Sequence, residues 1–127
     1  MSAEENKAAV LAAYHGFEAD NMEPLMSILA DDVEWINYED NPLNGTYNGP
    51  DGVESFFAKF DQMEFTGFEI ITVMAEGDKV VSALDVSYSV KSTGKNTSGI
   101  AMHLINFRDG KMVRFQEVAA TSAGAWQ

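Results

Sequence analysis

The sequence predicts an α+β fold in which helices pack on one face of a curved antiparallel sheet, and three observations carry that prediction. Apolar residues recur at helical spacing in the amino-terminal part, β-forming residues dominate from about Phe65 onward, and the connections between the later segments are short enough for hairpins. The expected order is α-α-β-α-β-β-β-β.

The first helix is announced by Ser2-Ala3-Glu4-Glu5, a capping box in which the Ser hydroxyl and the Glu carboxylate each satisfy a free backbone N–H. Val10, Leu11, Tyr14 and Phe17 then share one face, so this helix should run to about Ala19. Asn21 offers a second cap, Pro24 is tolerated in a first turn, and Leu25, Ile28 and Leu29 form the stripe of a second helix. Val33-Glu34-Trp35-Ile36-Asn37 reads as a short strand, and Asp40 to Asn48, loaded with Asn, Pro and Gly, reads as a loop. Gly49-Pro50-Asp51-Gly52 starts a third helix, with Pro at a position that lacks an N–H partner and Asp51 at the positive end of the dipole. Val53, Phe56, Phe57 and Phe60 supply its apolar face. Turns at Glu76-Gly77-Asp78-Lys79, Ser92-Thr93-Gly94-Lys95 and Arg108-Asp109-Gly110-Lys111 then separate four strands, roughly Phe68 to Ala75, Lys79 to Val90, Asn96 to Phe107 and Met112 to Ala119.

Composition narrows the function. The 127 residues suit one domain spanning 1–127, and 46% hydrophobic residues supply a core. With 8 basic against 20 acidic side chains the formal charge is −12 and the basic residues form no patch, which disfavours nucleic acid and anionic lipid surfaces as partners. No apolar run approaches the ~20 residues that span a bilayer, and Glu4 and Glu5 are wrong for a secretory signal. Cysteine is absent, which removes disulfides and thiol chemistry and fits a reducing compartment. A cytoplasmic protein is the expectation.

Strand alternation selects the side chains that face inward. On the last strand Val113, Phe115 and Glu117 share the core face, leaving an acid among apolar residues. On the long middle strand Leu84, Val86, Tyr88 and Val90 face in and Asp85 faces out. Between them, the strand Gly99 to Phe107 is apolar on both faces: His103, Ile105 and Phe107 on one, Met102 and Leu104 on the other. A sheet with two apolar faces implies a second cover, and a homodimer through the sheet is expected.

Three segments now bear on kinship: Leu29-Ala30-Asp31-Asp32-Val33-Glu34-Trp35, Gly49-Pro50-Asp51-Gly52-Val53-Glu54-Ser55-Phe56-Phe57 and Phe107-Arg108-Asp109-Gly110-Lys111-Met112-Val113. Together with the order of elements they resemble the SnoaL-like and ketosteroid-isomerase-like proteins of the nuclear transport factor 2-like superfamily, over about residues 4–120. The resemblance implies a cone whose sheet wraps a long first helix around an apolar cavity. It implies no single chemistry, because the fold hosts isomerases, cyclases, dehydratases, epoxide hydrolases and dimerisation modules. Where the isomerases hold their proton-shuttling Asp, the match brings Asn37, which is no base. Their neutral oxyanion-hole Asp corresponds to His103, and Tyr14 lies within one residue of their helix tyrosine. SnoaL-type cyclases are similar in carrying an acid on an inward position of a late strand, as Glu117 does.

These matches imply that His103 and Glu117 sit side by side on adjacent strands, one as general base and the other as its orienting partner, with Tyr14 or Tyr88 donating to a developing oxyanion. Phe17, Trp35, Asn37, Phe57, Tyr88 and Ile105 would line the pocket. The ligand is expected to be a small hydrophobic carbonyl compound, with no cofactor and no metal. Simpler readings stand beside this one. An inward histidine is often a hydrogen-bonded core residue, and Glu117 could pair with Arg114 or Lys111. Asp31-Asp32 is turn chemistry, and the methionines fill space. A cofactor-independent isomerase, cyclase or hydratase, a non-catalytic binder of hydrophobic molecules, and a partner-binding or dimerisation module therefore all remain open.

Overall fold

In the computed structural model, which describes residues 2–120 and 122–127, six strands form one mixed sheet ordered β2-β1-β6-β5-β4-β3. The elements are α1 (Ala3–Glu18), α2 (Glu23–Met26), β1 (Leu29–Tyr38), β2 (Gly45–Asn48), α3 (Gly49–Ala58), β3 (Met63–Glu76), β4 (Lys79–Val90), β5 (Asn96–Arg108) and β6 (Lys111–Ala119). Single 3-10 turns follow α3 and close the chain at Ala123–Trp126. The core lies between the concave sheet face and the helices, where Val10, Val33, Val53, Val80, Leu84 and Ile105 are fully buried.

Helix α1 begins with the predicted capping box: Glu5 N–H donates to Ser2 Oγ at 3.1 Å and Ser2 N–H donates to Glu5 Oε1 at 3.2 Å. It ends where Asp20 turns to φ 57° and Asn21 N–H donates to the Gly16 carbonyl at 2.7 Å. A Cβ on residue 16 would stand 2.5 Å from the Asn21 carbonyl oxygen, so this close turn admits only glycine. The turn delivers the chain directly into α2, which lasts one turn. Met22, not Asn21 as expected, holds the N-cap position of α2, while Asn21, one residue earlier, accepts from Glu23 N–H through Oδ1 at 3.2 Å.

Four further expectations need correction. Ile28 and Leu29 do not continue α2: Leu29 already opens β1, because Met112 N–H donates to the Ile28 carbonyl and draws the chain into the sheet. The stretch taken as loop contains β2, whose residues Gly45 to Asn48 pair antiparallel with Asn37 to Glu34 and cover the free edge of β1. Strand β3 starts at Met63 rather than near Phe68, because Glu64 and Phe65 continue the ladder with Ser89 and Tyr88. On β6 the register shifts beside Phe107, so Met112 is buried and Val113 is only half-buried, while Phe115 and Glu117 keep the inward face.

Hairpins join β3 to β4, β4 to β5 and β5 to β6 as expected. The last turns through Asp109 and Gly110, both at positive φ, the type I′ geometry that matches strand twist. The pairing that hairpin reasoning does not reach is parallel: β1 lies beside β6, with Trp35 opposite Phe115 and Asn37 opposite Glu117. That contact brings the first strand to the last.

Candidate active site

The candidate site is assembled from α1, β1, β5 and β6 around a cavity of about 130 Å³. His103 and Glu117 are directly opposite in the antiparallel β5–β6 register, and their side chains meet: Nε2 and Oε2 are 2.6 Å apart. From above, Tyr14 on α1 places its hydroxyl 2.7 Å from His103 Nδ1. From the other side, Asn37 on β1 donates Nδ2–H to Glu117 Oε1 at 2.6 Å. The result is a continuous chain of short hydrogen bonds, Tyr14 to His103 to Glu117 to Asn37.

The roles along this chain follow from donor counting. A carboxylate at Glu117 only accepts, so Nε2 carries the hydrogen between them. A neutral ring then leaves Nδ1 as acceptor, and Tyr14 donates to it. Burial opposes ionisation of Glu117, but hydrogen bonds from His103 and Asn37 and the attraction of His103 outweigh it and hold the carboxyl below its ordinary range. Tyr14 shifts the opposite way: burial, reinforced by the Glu117 charge, keeps its hydroxyl protonated far above neutrality. His103 is 6% exposed and Phe115 packs against its ring at 4.5 Å. His103 and Glu117 are therefore each held from two sides.

The residues expected in the pocket divide clearly. Phe17, Trp35, Phe57, Tyr88 and Ile105 line the cavity together with Tyr14, His103 and Glu117. Asn37 does not: it is 1% exposed and stands behind Glu117, steering the carboxylate instead of meeting a ligand. Trp35 stacks on Phe115 with ring centroids 3.7 Å apart, which makes it a rigid wall. Tyr88 accepts from the Trp126 indole N–H at 3.1 Å and keeps its own proton for another acceptor. Tyr14, by contrast, spends its proton on His103 while the ring is neutral. The surface alternatives for Glu117 are otherwise engaged: Arg114 pairs with Glu34 and Lys111 reaches the Ser27 carbonyl.

One further acid was missed. Glu39, immediately after β1, also lines the cavity, and burial followed by the negative charge of Glu117 raises its carboxyl to about 7. The signal was available, because Trp35, Asn37 and Glu39 alternate along one strand face. Opposite the polar end, Phe17 meets Phe57, Phe60, Phe65 and Phe68 with centroids 5.2–6.3 Å apart, and these five rings form the apolar end of the cavity.

Comparison with known proteins now bears on this arrangement. Residues 10–115 match the family described as SnoaL-like domain. The chain belongs to the SnoaL-like family. Its fold is that of the nuclear transport factor 2-like proteins, among them one from Burkholderia thailandensis with a TM-score of 0.85 at 22% identity, covering 94% of this chain and 92% of that one. A second, from Burkholderia xenovorans, has a TM-score of 0.82 at 22% identity over 99% and 95% of the two chains. The SnoaL-like chain is also similar to TerC, crystallised with polyporic acid, with a TM-score of 0.76 at 27% identity over 91% and 92% of the chains. No curated protein matches it significantly. Among the described residues of this SnoaL-like protein, no helix is long and apolar enough to cross a membrane.

Proposed function

We propose that this SnoaL-like protein is a cofactor-independent acid/base enzyme that moves a proton next to the carbonyl of a small hydrophobic compound, as in an isomerisation, cyclisation or water addition. The observation that carries the proposal is the Tyr14–His103–Glu117 chain at the polar end of an apolar cavity. The arrangement follows the logic of a nucleophile–His–acid triad without a nucleophile. Glu117 fixes the ring and stabilises the imidazolium that forms when His103 takes a proton. Because Nδ1 faces the Tyr14 hydroxyl, the proton reaches the ring by relay: Tyr14 accepts from the ligand as it passes its own hydrogen to His103. The Tyr88 hydroxyl is the free donor for an oxyanion. The cavity is comparable to one that admits a single aromatic ring, so the ligand is small.

The test is deuterium exchange. In D2O, small cyclic ketones such as cyclohexenone and 2-indanone should exchange their α-hydrogens faster with the protein than with buffer. His103→Gln should lower the protein-dependent rate by about 10²–10⁴-fold. Exchange at the buffer rate with every ketone would remove the catalytic reading. A second reading, binding without turnover, draws support from the same donor count, since both ring nitrogens of neutral His103 are engaged within the protein.

The outer sheet face supports a homodimer. Ile100, Met102, Leu104 and Val118 lie exposed on adjacent strands, with Met74 further along the sheet. A contiguous apolar surface of this kind is buried in most stable proteins. Sedimentation at micromolar concentration should give twice the chain mass of 13.9 kDa.

A further inference from the structure

Buried polar atoms at the polar end of the cavity are left over once the Tyr14–His103–Glu117–Asn37 chain is complete. Among the described residues, Glu39 Oε2 and Asn37 Oδ1 are both buried and neither has a hydrogen-bond partner. Both are acceptors when Glu39 is ionised. The Trp35 indole N–H, on the same strand face, is buried and unpartnered as well, and each unsatisfied group loses its hydration without return. The nearest second carboxyl is Glu117, whose two oxygens already accept from His103 and Asn37. Among the described residues the amides that reach Glu39 are already engaged elsewhere: Asn37 Nδ2 donates to Glu117 Oε1, Asn41 Nδ2 sits 2.6 Å from Ser122 Oγ and a weak 3.5 Å from Glu39 Oε1, and the cavity lining contains no Lys or Arg. A hydrogen on Glu39 itself is what the geometry lacks.

We propose that Glu39 is the acid of this site: it carries the proton that the two carboxyls share and presents it to the carbonyl oxygen of a neutral ligand. The inference rests on the acid/base reading above and adds the donor that reading lacks on the β1 side. The titratable groups facing Glu39 are Glu117 on β6, with His103 on β5 and Tyr14 on α1 behind it, and Asp40 is its chain neighbour. Beside a neutral His103 ring the Glu117 carboxylate keeps its negative charge, and burial together with that charge holds the proton on Glu39.

The step balances. The Tyr14–His103 relay takes the proton from the carbon beside the carbonyl, the C–H electrons form the C=C bond, and the carbonyl π electrons take the proton of Glu39 to give an enol. Glu39 is left as carboxylate and His103 as imidazolium. When the enol O–H returns its proton to Glu39 and the relay delivers its proton to carbon, at the same or a conjugated position, the site is reset. A ligand bearing its own carboxylate would face Glu117 with no cation to meet it, so the preferred class is neutral.

The test titrates the carboxyl carbons of 13Cδ-glutamate-labelled protein by NMR. One resonance should change near pH 7, vanish in Glu39→Gln, and move down by at least one pH unit in Glu117→Gln. A wild-type Glu39 resonance that titrates in the ordinary carboxyl range overturns the proposal whether or not either variant folds. So does Glu39→Gln protein that exchanges ketone α-hydrogens as fast as wild type. In both cases the exchange itself leaves the acid/base reading intact. The converse pattern, titration near 7 with no exchange in wild type, keeps the shared proton and removes the catalytic reading.

Discussion

The two ends of the cavity are built on opposite principles. At the apolar end five phenylalanines from α1, α3, the following turn and β3 meet ring to ring, and each contact is one of several that could replace it. At the polar end Tyr14, His103, Glu117 and Asn37 come from four different elements, and every contact is a single directed bond of 2.6–2.7 Å. Dispersion among rings is non-directional and tolerates a shifted neighbour. A buried hydrogen-bonded chain does not, because removing one member strands the next in a low-dielectric space. The apolar end should therefore accept substitutions that the polar end refuses.

The largest effect expected is at Glu117. Glu117→Ala leaves His103 and Asn37 with nothing to receive their hydrogens, and urea unfolding should show a loss of about 3 kcal/mol together with loss of ketone exchange. A loss below about 1 kcal/mol would mean that the chain is wetter and looser than its geometry. Next comes the pH dependence of Glu39. Its carboxyl is raised in the folded protein to about 7 from the 4.5 of an unperturbed group, so the folded state holds a proton that the unfolded state has released. Stability should thus fall as pH rises from about 4.5 to 7 and level off above, by roughly 2 kcal/mol once its partial solvation is discounted. Glu39→Gln should flatten that slope. Glu117 runs the other way: its lowered carboxyl contributes stability above its unfolded value that disappears as pH falls through the folded one.

At the opposite end, Phe17→Leu should cost about 1 kcal/mol and leave the 15N resonances of the His103 ring in the pattern of the Nε2–H tautomer. A changed tautomer pattern would show that the two ends are one mechanical unit. The smallest effect on the fold is expected outside. Met102→Glu on the exposed face should alter monomer stability by no more than about 0.5 kcal/mol while shifting sedimentation from dimer to monomer.

The same division explains how much of the site could be read in advance. Glu117 was legible because alternation within its strand assigns it the inward face, whereas His103 lies on a strand apolar on both faces and stood out, as did the pair, through the family resemblance. The aromatic end was legible in part, since Phe17 and Phe57 follow from helical spacing. Asn37 was placed at the pocket because the family match brings it to the position of the isomerases' Asp, but the parallel neighbour that claims its amide is set by tertiary packing. No local turn announces a strand returning from the far end of the chain. Glu39 escaped for a different reason: the sequence ends the strand at Asn37 and opens the loop at Asp40, so Glu39, which follows β1 and continues its inward alternation, falls between the two. The strand β2 was lost in the same stretch, where Thr46 and Tyr47 form a ladder only because β1 is there to receive it.

The parallel seam between β1 and β6 has a further consequence, for the order in which the molecule is made. Tyr14 and His103 are 89 residues apart in the chain, and Asn37 and Glu117 are 80 apart. A ribosome releasing this chain exposes α1, β1 and the phenylalanine cluster well before the strand that completes the relay has emerged. Until then β1 offers an unpaired edge and the helix carries a tyrosine with no acceptor. Closure of so long a loop comes late and slowly, after the β3–β4–β5 hairpins have formed from local contacts. The hydrogen-bonded chain from Tyr14 to Asn37 is thus made of contacts of long sequence separation, which close after the local hairpins.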